Sequence, residues 1–428
     1  QREELVKNLP HSKVLHTIDE REQICDNCGS TMVKVGEEFV RTEVQFIPAK
    51  LKVIDHYRET YECRSCRKNG TPYMEKAPVP YPPVLHSLAS ASTITWLIHQ
   101  KFELSIPLYR QEKEWEALGL RLSRATMSNW LLVVYRDWLV HIVHRLKLEL
   151  LKQRYLHIDE THVQVLKEPG RKNTSDSYMW VYCSIRDAVN PIRYFEYQPG
   201  RSGKYPEAFL REYEGYIHTD AYSGYNAVSG VKRCLCYTHL RRAFVDALPK
   251  DIHNSEASKP AEAILRLNQL FNIESELEAF PPDQKKKERL IREKPLLEAF
   301  WSWAEKSAIG ELPKSKLSKA FHYALNNREG FWNYLEDGNC SISNSLAENC
   351  IRPFVIGRKN WLFSGSPKGA EASAGIYTLV ETAKANGLAP MKYIKYILSD
   401  MPGSAFLEHP EYLDDYLPWN PLVKEFCR

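Results

Sequence analysis

At 428 residues the chain exceeds what one hydrophobic core ordinarily serves, so two to four domains are expected. Its 43% hydrophobic and 26% charged content is that of a folded soluble protein, no apolar run is long enough to cross a bilayer, and ten cysteines over this length do not make a disulfide scaffold. A net charge of +4 permits nucleic-acid binding without arguing for it.

Residues 1–10 are polar and resemble no signal peptide. The chain opens on Gln1 with no initiator Met, so further residues are expected upstream. Cys25 and Cys28 form one Cys-x-x-Cys pair, Cys63 and Cys66 a second. Each pair suits a knuckle presenting two thiolates to one zinc ion, which fits a reducing cytoplasm better than disulfides do. Between them, 40–47 and 51–57 alternate apolar and polar residues, the pattern of strands, so residues 1–76 read as a zinc ribbon. A unit this small should depend on its metal to fold. Residues 1–83 carry thirteen basic and thirteen acidic side chains, so charge gives the ribbon no claim on DNA.

Residues 77–83, APVPYPP, read as a stiff linker. Residues 84–151 then show helical spacing: 84–100, 107–116, a break at Gly119, and a third helix capped by Ser123. Helix, turn and capped helix resemble a helix-turn-helix, with Arg124 and Asn129 near the start of the second element as candidate DNA contacts; a helical hairpin that only packs on a neighbour is the commoner use of this pattern.

From 152 the period changes to that of strands: 155–166, 178–186 and 192–197, then a helix-like 205–213, then 216–219 and 231–236. Three hairpin strands, a helix, a strand and another strand is the order of an RNase H-like core, whose first part is placed at 152–238. A helical insertion follows at 239–342, where the basic run 285–289 reads as a solvated face. The last part of the core is placed at 343–400, with closing helices at 374–386 and 390–399, and a C-terminal tail at 401–428. Pro353 should end or kink the helix that carries Glu348. The expected fold class is thus multidomain α+β and α/β.

Three acids stand in distinctive surroundings: Asp159 in RYLHIDET, Asp220 in YIHTDAYSGY and Glu348 in NSLAENCIRP. Together they could hold divalent cations for phosphoryl transfer. Alternation does not choose cleanly between Asp159 and Glu160, because Leu156, Ile158 and Glu160 share a face. Asp220 could equally cap a turn, and Glu348 could pair with Arg352 four residues on. From Ile351 to Lys395 seven Lys/Arg face two acids, a local excess that suits a polyanion or a solvated helix face.

These motifs resemble the insertion-sequence-66 family of bacterial DDE transposases along nearly the whole chain. The two Cys-x-x-Cys pairs look like its zinc-binding domain, and LSIPLYR and LSRATMSNW like the segment leading into its transposase domain. Asp159-Glu160-Thr161, Asp220 with Gly224-Tyr225, CYTHLRR at 236–242, and 344–360 ending in IGRKN look like its successive blocks. The resemblance implies that Asp159, Asp220 and Glu348 are the catalytic acids, holding two Mg²⁺ (or Mn²⁺) ions, and that Cys25, Cys28, Cys63 and Cys66 hold structural Zn²⁺. It implies a structural or strand-handling role, not metal binding, for Cys236 and His239. Arg352, Arg358, Lys359, Lys368, Arg241 and Arg242 become candidate contacts to DNA phosphates. The implied activity is to bind an element's terminal inverted repeats, free 3′ hydroxyls and join them to target DNA, as a homo-oligomer on DNA, near the nucleoid, with small accessory proteins of the element as possible partners. Asn349 departs from the Arg that usually follows the third acid. Two alternatives stay open: an inert zinc-ribbon DNA-binding regulator, and a structure-selective nuclease.

Overall fold

The computed structural model describes residues 7, 11–44, 50–249 and 258–428. It divides into two compact units, Gln1–Lys52 and Val53–Arg428.

In the first unit, Cys25 opens a tight turn: Gly29 N–H donates to Cys25 O at 2.8 Å and Cys25 N–H to Ser30 O at 2.9 Å, with Gly29 at φ +71°. A bridge between Ile24 and Thr31 closes it. The strands expected at 40–47 and 51–57 do not form among the described residues; 45–49 lie outside them. Val33, Val35, Phe39 and Val53 are more than three-quarters exposed. An alternating pattern specifies a strand only where one face can be buried, and these residues have no such face.

In the second unit, a hairpin of β1 (Thr60–Glu62) and β2 (Met74–Lys76) flanks the second Cys pair. Among the described residues the main core begins at Pro83 and Val84. Helices α1 (Ala91–Ile98), α2 (Leu108–Ala117), α3 (Arg124–Val134) and α4 (Val140–Leu151) follow. Ser90 and Ser123 cap α1 and α3 by accepting from Thr93 N–H and Thr126 N–H. Helix α3 buries Met127, Trp130, Leu131 and Val134, and leaves Arg124 and Asn129 exposed.

Five strands then build the sheet: β3 (Tyr155–Val165), β4 (Asp176–Ser184), β5 (Arg193–Gln198), β6 (Gly215–Thr219) and β7 (Val231–Leu235). Their order is β5-β4-β3-β6-β7; β3, β4 and β5 are antiparallel neighbours, while β6 and β7 run parallel to β3. The short α5 (Lys204–Phe209) lies in the crossover from β5 to β6.

The described residues of 237–342 form a helical block with its own core, including α6 (Tyr237–Val245), α7 (Lys259–Glu276), α8 (Lys294–Ala308) and α9 (Lys316–Asn326), packed around Phe244, Leu267, Phe300, Trp301, Phe321 and Phe331. Here the solvated reading of 285–289 fails at both ends: Lys285 is half-buried and pairs with Glu274 at 3.3 Å. Arg289 is fully buried. Its guanidinium pairs with Glu274 at 2.5 Å and donates to the carbonyls of Tyr334, Asp337 and Cys340 at 2.8–3.1 Å. Several fixed donors meeting one carboxylate and three carbonyls is what makes the burial tolerable.

Helix α10 (Ser345–Trp361) returns to the sheet and packs on β3 and β4. It runs through Pro353 rather than ending there. A two-residue strand, β8 (Phe363–Ser364), then pairs with the end of β3. Helix α11 (Pro367–Ala385) covers the edge strand β5: Thr378 Oγ1 and Thr382 Oγ1, four residues apart, accept from the backbone N–H groups of Phe195 (2.8 Å) and Arg193 (3.1 Å). The sheet edge is thereby capped by side chains instead of a further strand. The same helix comes so close to Tyr135 that a Cβ on Gly375 would sit 2.1 Å from its ring. Helix α12 (Pro390–Asp400) follows it, and no described helix is long and apolar enough to span a membrane.

Candidate active site

The site forms where β3, β6 and α10 meet. The parallel pairing of Tyr155 with Tyr216, Leu156 with Ile217 and His157 with His218, carried forward along both chains, brings Asp159 level with Asp220 just past the end of β6. The stacked rings of His157 and His218, 4.2 Å apart, lie directly behind this pair. His218 bonds Leu156 O through Nδ1 and accepts Ser341 N–H at Nε2, so it clamps β6 to β3 and to the segment before α10.

Glu348 is delivered by a buried asparagine. Asn344 Oδ1 takes His157 Nδ1–H at 3.0 Å, its amide donates to Ile158 O at 2.8 Å, and its own N–H points at Cys236 Sγ at 3.1 Å. It caps nothing in its own helix. Its side chain instead joins the start of α10 to the strand bearing Asp159, and Glu348 lies one helical turn on.

Asp159 and Glu160 part as a strand requires. Glu160 turns into a buried pocket where Arg201 bonds it at 2.6–2.7 Å and Tyr225 Oη donates to it. Burial raises the Glu160 pKa while these two partners oppose the rise. Among the described residues no cation pairs with Asp159. Burial first, then the charge of Glu160, then Asp220 and Glu348, push its carboxyl up to about 7. Asp220 Oδ1 accepts Tyr222 N–H at 2.9 Å, so it does cap its turn, and Arg201 lies 3.8 Å from its other oxygen. Arg233 holds that turn from behind, donating to Thr219 Oγ1 and to the carbonyls of Asp220 and Tyr222 at 2.6–2.8 Å.

Glu348 does not pair with Arg352, the alternative its spacing allowed; Arg352 is exposed, and the partner of Glu348 is His239, at 3.6 Å. The Cys236 sulfur lies beside that imidazole and, with Glu348 and Asp220, raises its pKa. A cleft of about 380 Å³ opens here, lined by Arg201, Asp220, Tyr222, His239, Arg242 and Tyr323.

The basic candidates separate. Arg242 reaches the cleft, and Arg352, Lys359 and Lys368 are exposed. Arg358 is engaged by Thr161 Oγ1 at 2.9 Å and by His162 O, and Arg241 by Asn268 at 2.8 Å. Arg201, Arg233, Tyr225 and Asn344 were missed as site-building residues. Asn344 and Tyr225 carried a signal, each standing inside a motif that surrounds one of the acids; Arg201 and Arg233 carried none.

Each cysteine pair of the N-terminal region brings its two sulfurs into mutual contact. Neighbouring backbone and thiol hydrogen bonds lower the pKa of Cys28 and of Cys63. Among the described residues before Pro83, only Gln23, Cys25, Cys63, Cys66 and Ala77 are even partly sheltered from solvent.

Comparison with known proteins defines the class first. A model for the zinc-finger binding domain of transposase IS66 matches residues 22–67, and the transposase model of the same family matches 86–372. The protein is therefore a DDE-type transposase preceded by a zinc-finger domain. The match covers well over half of the chain, and the chain belongs to the IS66 transposase family. It is similar also to three proteins of Sinorhizobium fredii (strain NBRC 101917 / NGR234), each described as uncharacterized. Protein y4hP is 26% identical, the match covering 92% of this chain and 73% of that protein. Protein y4jD is 26% identical over 97% and 81%, and y4qI 27% over 96% and 76%.

Proposed function

We propose that the chain cuts and joins DNA at the ends of an insertion sequence, with Asp159, Asp220 and Glu348 as its catalytic acids. The observation that carries this is the environment of Asp159: a carboxyl driven up to about 7 by burial and by three other acids, with no ion pair to a basic side chain among the described residues. Such a cluster fits a divalent cation, which would remove the repulsion. Asp159, Asp220 and Glu348 are not among the groups of described residues whose ligand atoms all lie within 4.8 Å of one another. Two Mg²⁺ or Mn²⁺ ions held there would stabilise charge developing on the attacking and leaving oxygens of the scissile phosphate.

The chain's own residues do the rest. Arg201 and Tyr225 hold Glu160 out of the trio, leaving Asp159 to face the substrate. Arg233 fixes the Asp220 turn, and Asn344 fixes the start of α10. Arg242 at the cleft and exposed Arg352, Lys359 and Lys368 are placed to meet phosphates, with Arg124 and Asn129 of α3 as candidates for end recognition. The strand order supports an RNase H-like core in two parts, 152–238 and 343–400, separated by the 239–342 insertion, behind a zinc-ribbon domain at 1–76 and a helix-turn-helix-like region at 84–151. Work on two DNA ends implies at least a dimer on DNA, in the cytoplasm.

Asp220→Asn is the direct test, since it keeps the Tyr222 contact and removes the charge. Cleavage of an end-containing duplex with Mg²⁺ should fall by orders of magnitude while end binding persists; undiminished cleavage would reject the acid assignment. Precut ends with target DNA separate the other classes: a nuclease cuts without joining, and an inert regulator does neither.

A further inference from the structure

We propose that Cys236, His239 and Glu348 form a second transition-metal site, distinct from the N-terminal cysteine pairs, that takes a zinc-class divalent ion at the mouth of the cleft. Their ligand atoms all lie within 4.8 Å of one another. His239 Nδ1 and Glu348 Oε1 are both shut off from solvent, and neither has a hydrogen-bond partner. Two buried polar atoms left unsatisfied side by side call for a missing partner. The gap between them, 3.6 Å, is long for a hydrogen bond. It is close to the edge of about 3.4 Å that donors at ~2.0–2.2 Å from a tetrahedral zinc would span. The third donor is preset: Cys236 is fully buried, precedes the first residue of α6, and has its sulfur fixed by Asn344 N–H, while His239 stands three residues on.

The donor set chooses the ion. Thiolate, imidazole and carboxylate together favour zinc over magnesium, which prefers oxygen alone. Three protein ligands leave a fourth position, and His239 lines the cleft, so water or a phosphate oxygen is the expected fourth ligand. A second group, His218, Cys234 and Cys340, is equally compact. Both nitrogens of His218 are already bonded to backbone, to Leu156 O and Ser341 N–H, which closes that group to metal.

The site shares Glu348 with the proposed acid trio but needs neither Asp159 nor Asp220. It can therefore be tested without DNA. The full-length chain carrying Cys→Ser at 25, 28, 63 and 66 is stripped with chelator and titrated with Co²⁺ as a spectroscopic probe, then with Zn²⁺. One Co²⁺ per chain is expected in a thiolate-bearing site, with the intense visible bands of four-coordination and a thiolate charge-transfer band, whatever the acid trio takes up besides. Cys236→Ser should abolish the thiolate band, and His239→Ala should weaken Zn²⁺ binding at least ~10–100-fold. Asp220→Asn should leave both intact, so a failure of the catalytic assignment stays separate from a failure of this one. Circular dichroism on each variant establishes folding, and His239→Gln replaces His239→Ala if the latter unfolds. Co²⁺ and Zn²⁺ uptake no greater than that of a Cys236→Ser/His239→Gln double variant would overturn the proposal.

Discussion

Asp159 pays for its position with an uncompensated charge, and that charge has a measurable signature. In the unfolded chain its carboxyl titrates near the ordinary 3.8, in the fold near 7. Between those values the native state holds a proton that the unfolded state has lost. Stability of the metal-free protein should therefore fall as pH rises from about 4 to 7 and stay low above 7. The shift sets a ceiling of about 4 kcal/mol, and local relaxation brings the expected effect to about 1–3 kcal/mol. Asp159→Asn should accordingly stabilise the chelated protein by about 1–3 kcal/mol at pH 8 and flatten the slope below pH 7. Added Mg²⁺ or Mn²⁺ should stabilise the parent and not the variant. Denaturant unfolding at several pH values reads all three, and a variant no more stable than the parent at pH 8 would count against a converging acid cluster. The choice between Asp159 and Glu160 was not legible from alternation. Leu156, His157 and Ile158 are all buried, so the half of β3 that leads into the acids has no solvent face for the pattern to mark. What separates the two acids is Arg201 and Tyr225, remote in sequence and brought in by the crossover and the turn after β6.

At the scale of elements, the sheet and its connections were largely readable. The β-branched and aromatic runs bounded by turn residues gave β3 to β7 within a residue or two. The continuation of α10 past Pro353 was not, because a proline there argues for an end or a kink. A proline removes one backbone donor, but the helix is held at both ends by tertiary contacts that a local rule does not contain. Asn344 anchors its start to β3, and Arg358 in its last turn reaches Thr161 and His162. Asn344→Ala should leave the His157 ring and the Ile158 carbonyl without their partners in the core. A loss of about 2–4 kcal/mol is expected from those two vacated bonds. Because Glu348 follows one turn later, catalysis should drop by more than stability alone explains. Thermal melts paired with cleavage under conditions where the variant remains folded separate the two effects; unchanged cleavage there would show that Glu348 is positioned by something else.

Across the whole molecule, burial is distributed very unevenly, and the unevenness makes the last prediction. Residues 84–428 carry both hydrophobic cores, whereas no described residue before Pro83 is fully buried. Residues 11–76 cannot be held by apolar area at the usual ~25 cal/mol per Å², because so little is removed from water. The cysteines, three of them among the few sheltered side chains there, are what remains, and a zinc-finger domain supplies the reason: binding energy from metal replaces a core. Cys63→Ser with Cys66→Ser should thus collapse amide-exchange protection across residues 22–76 to the level of a free peptide. Protection along β3, β4 and β6 should be unchanged, since the folding of 84–428 rests on its own packing. Hydrogen exchange read by mass spectrometry resolves both regions in one experiment. Retained protection at 22–76 in the Cys63/Cys66 variant would mean that the N-terminal region is held by something other than metal on those thiolates, and a parallel loss in the sheet would mean that 84–428 does not fold on its own packing.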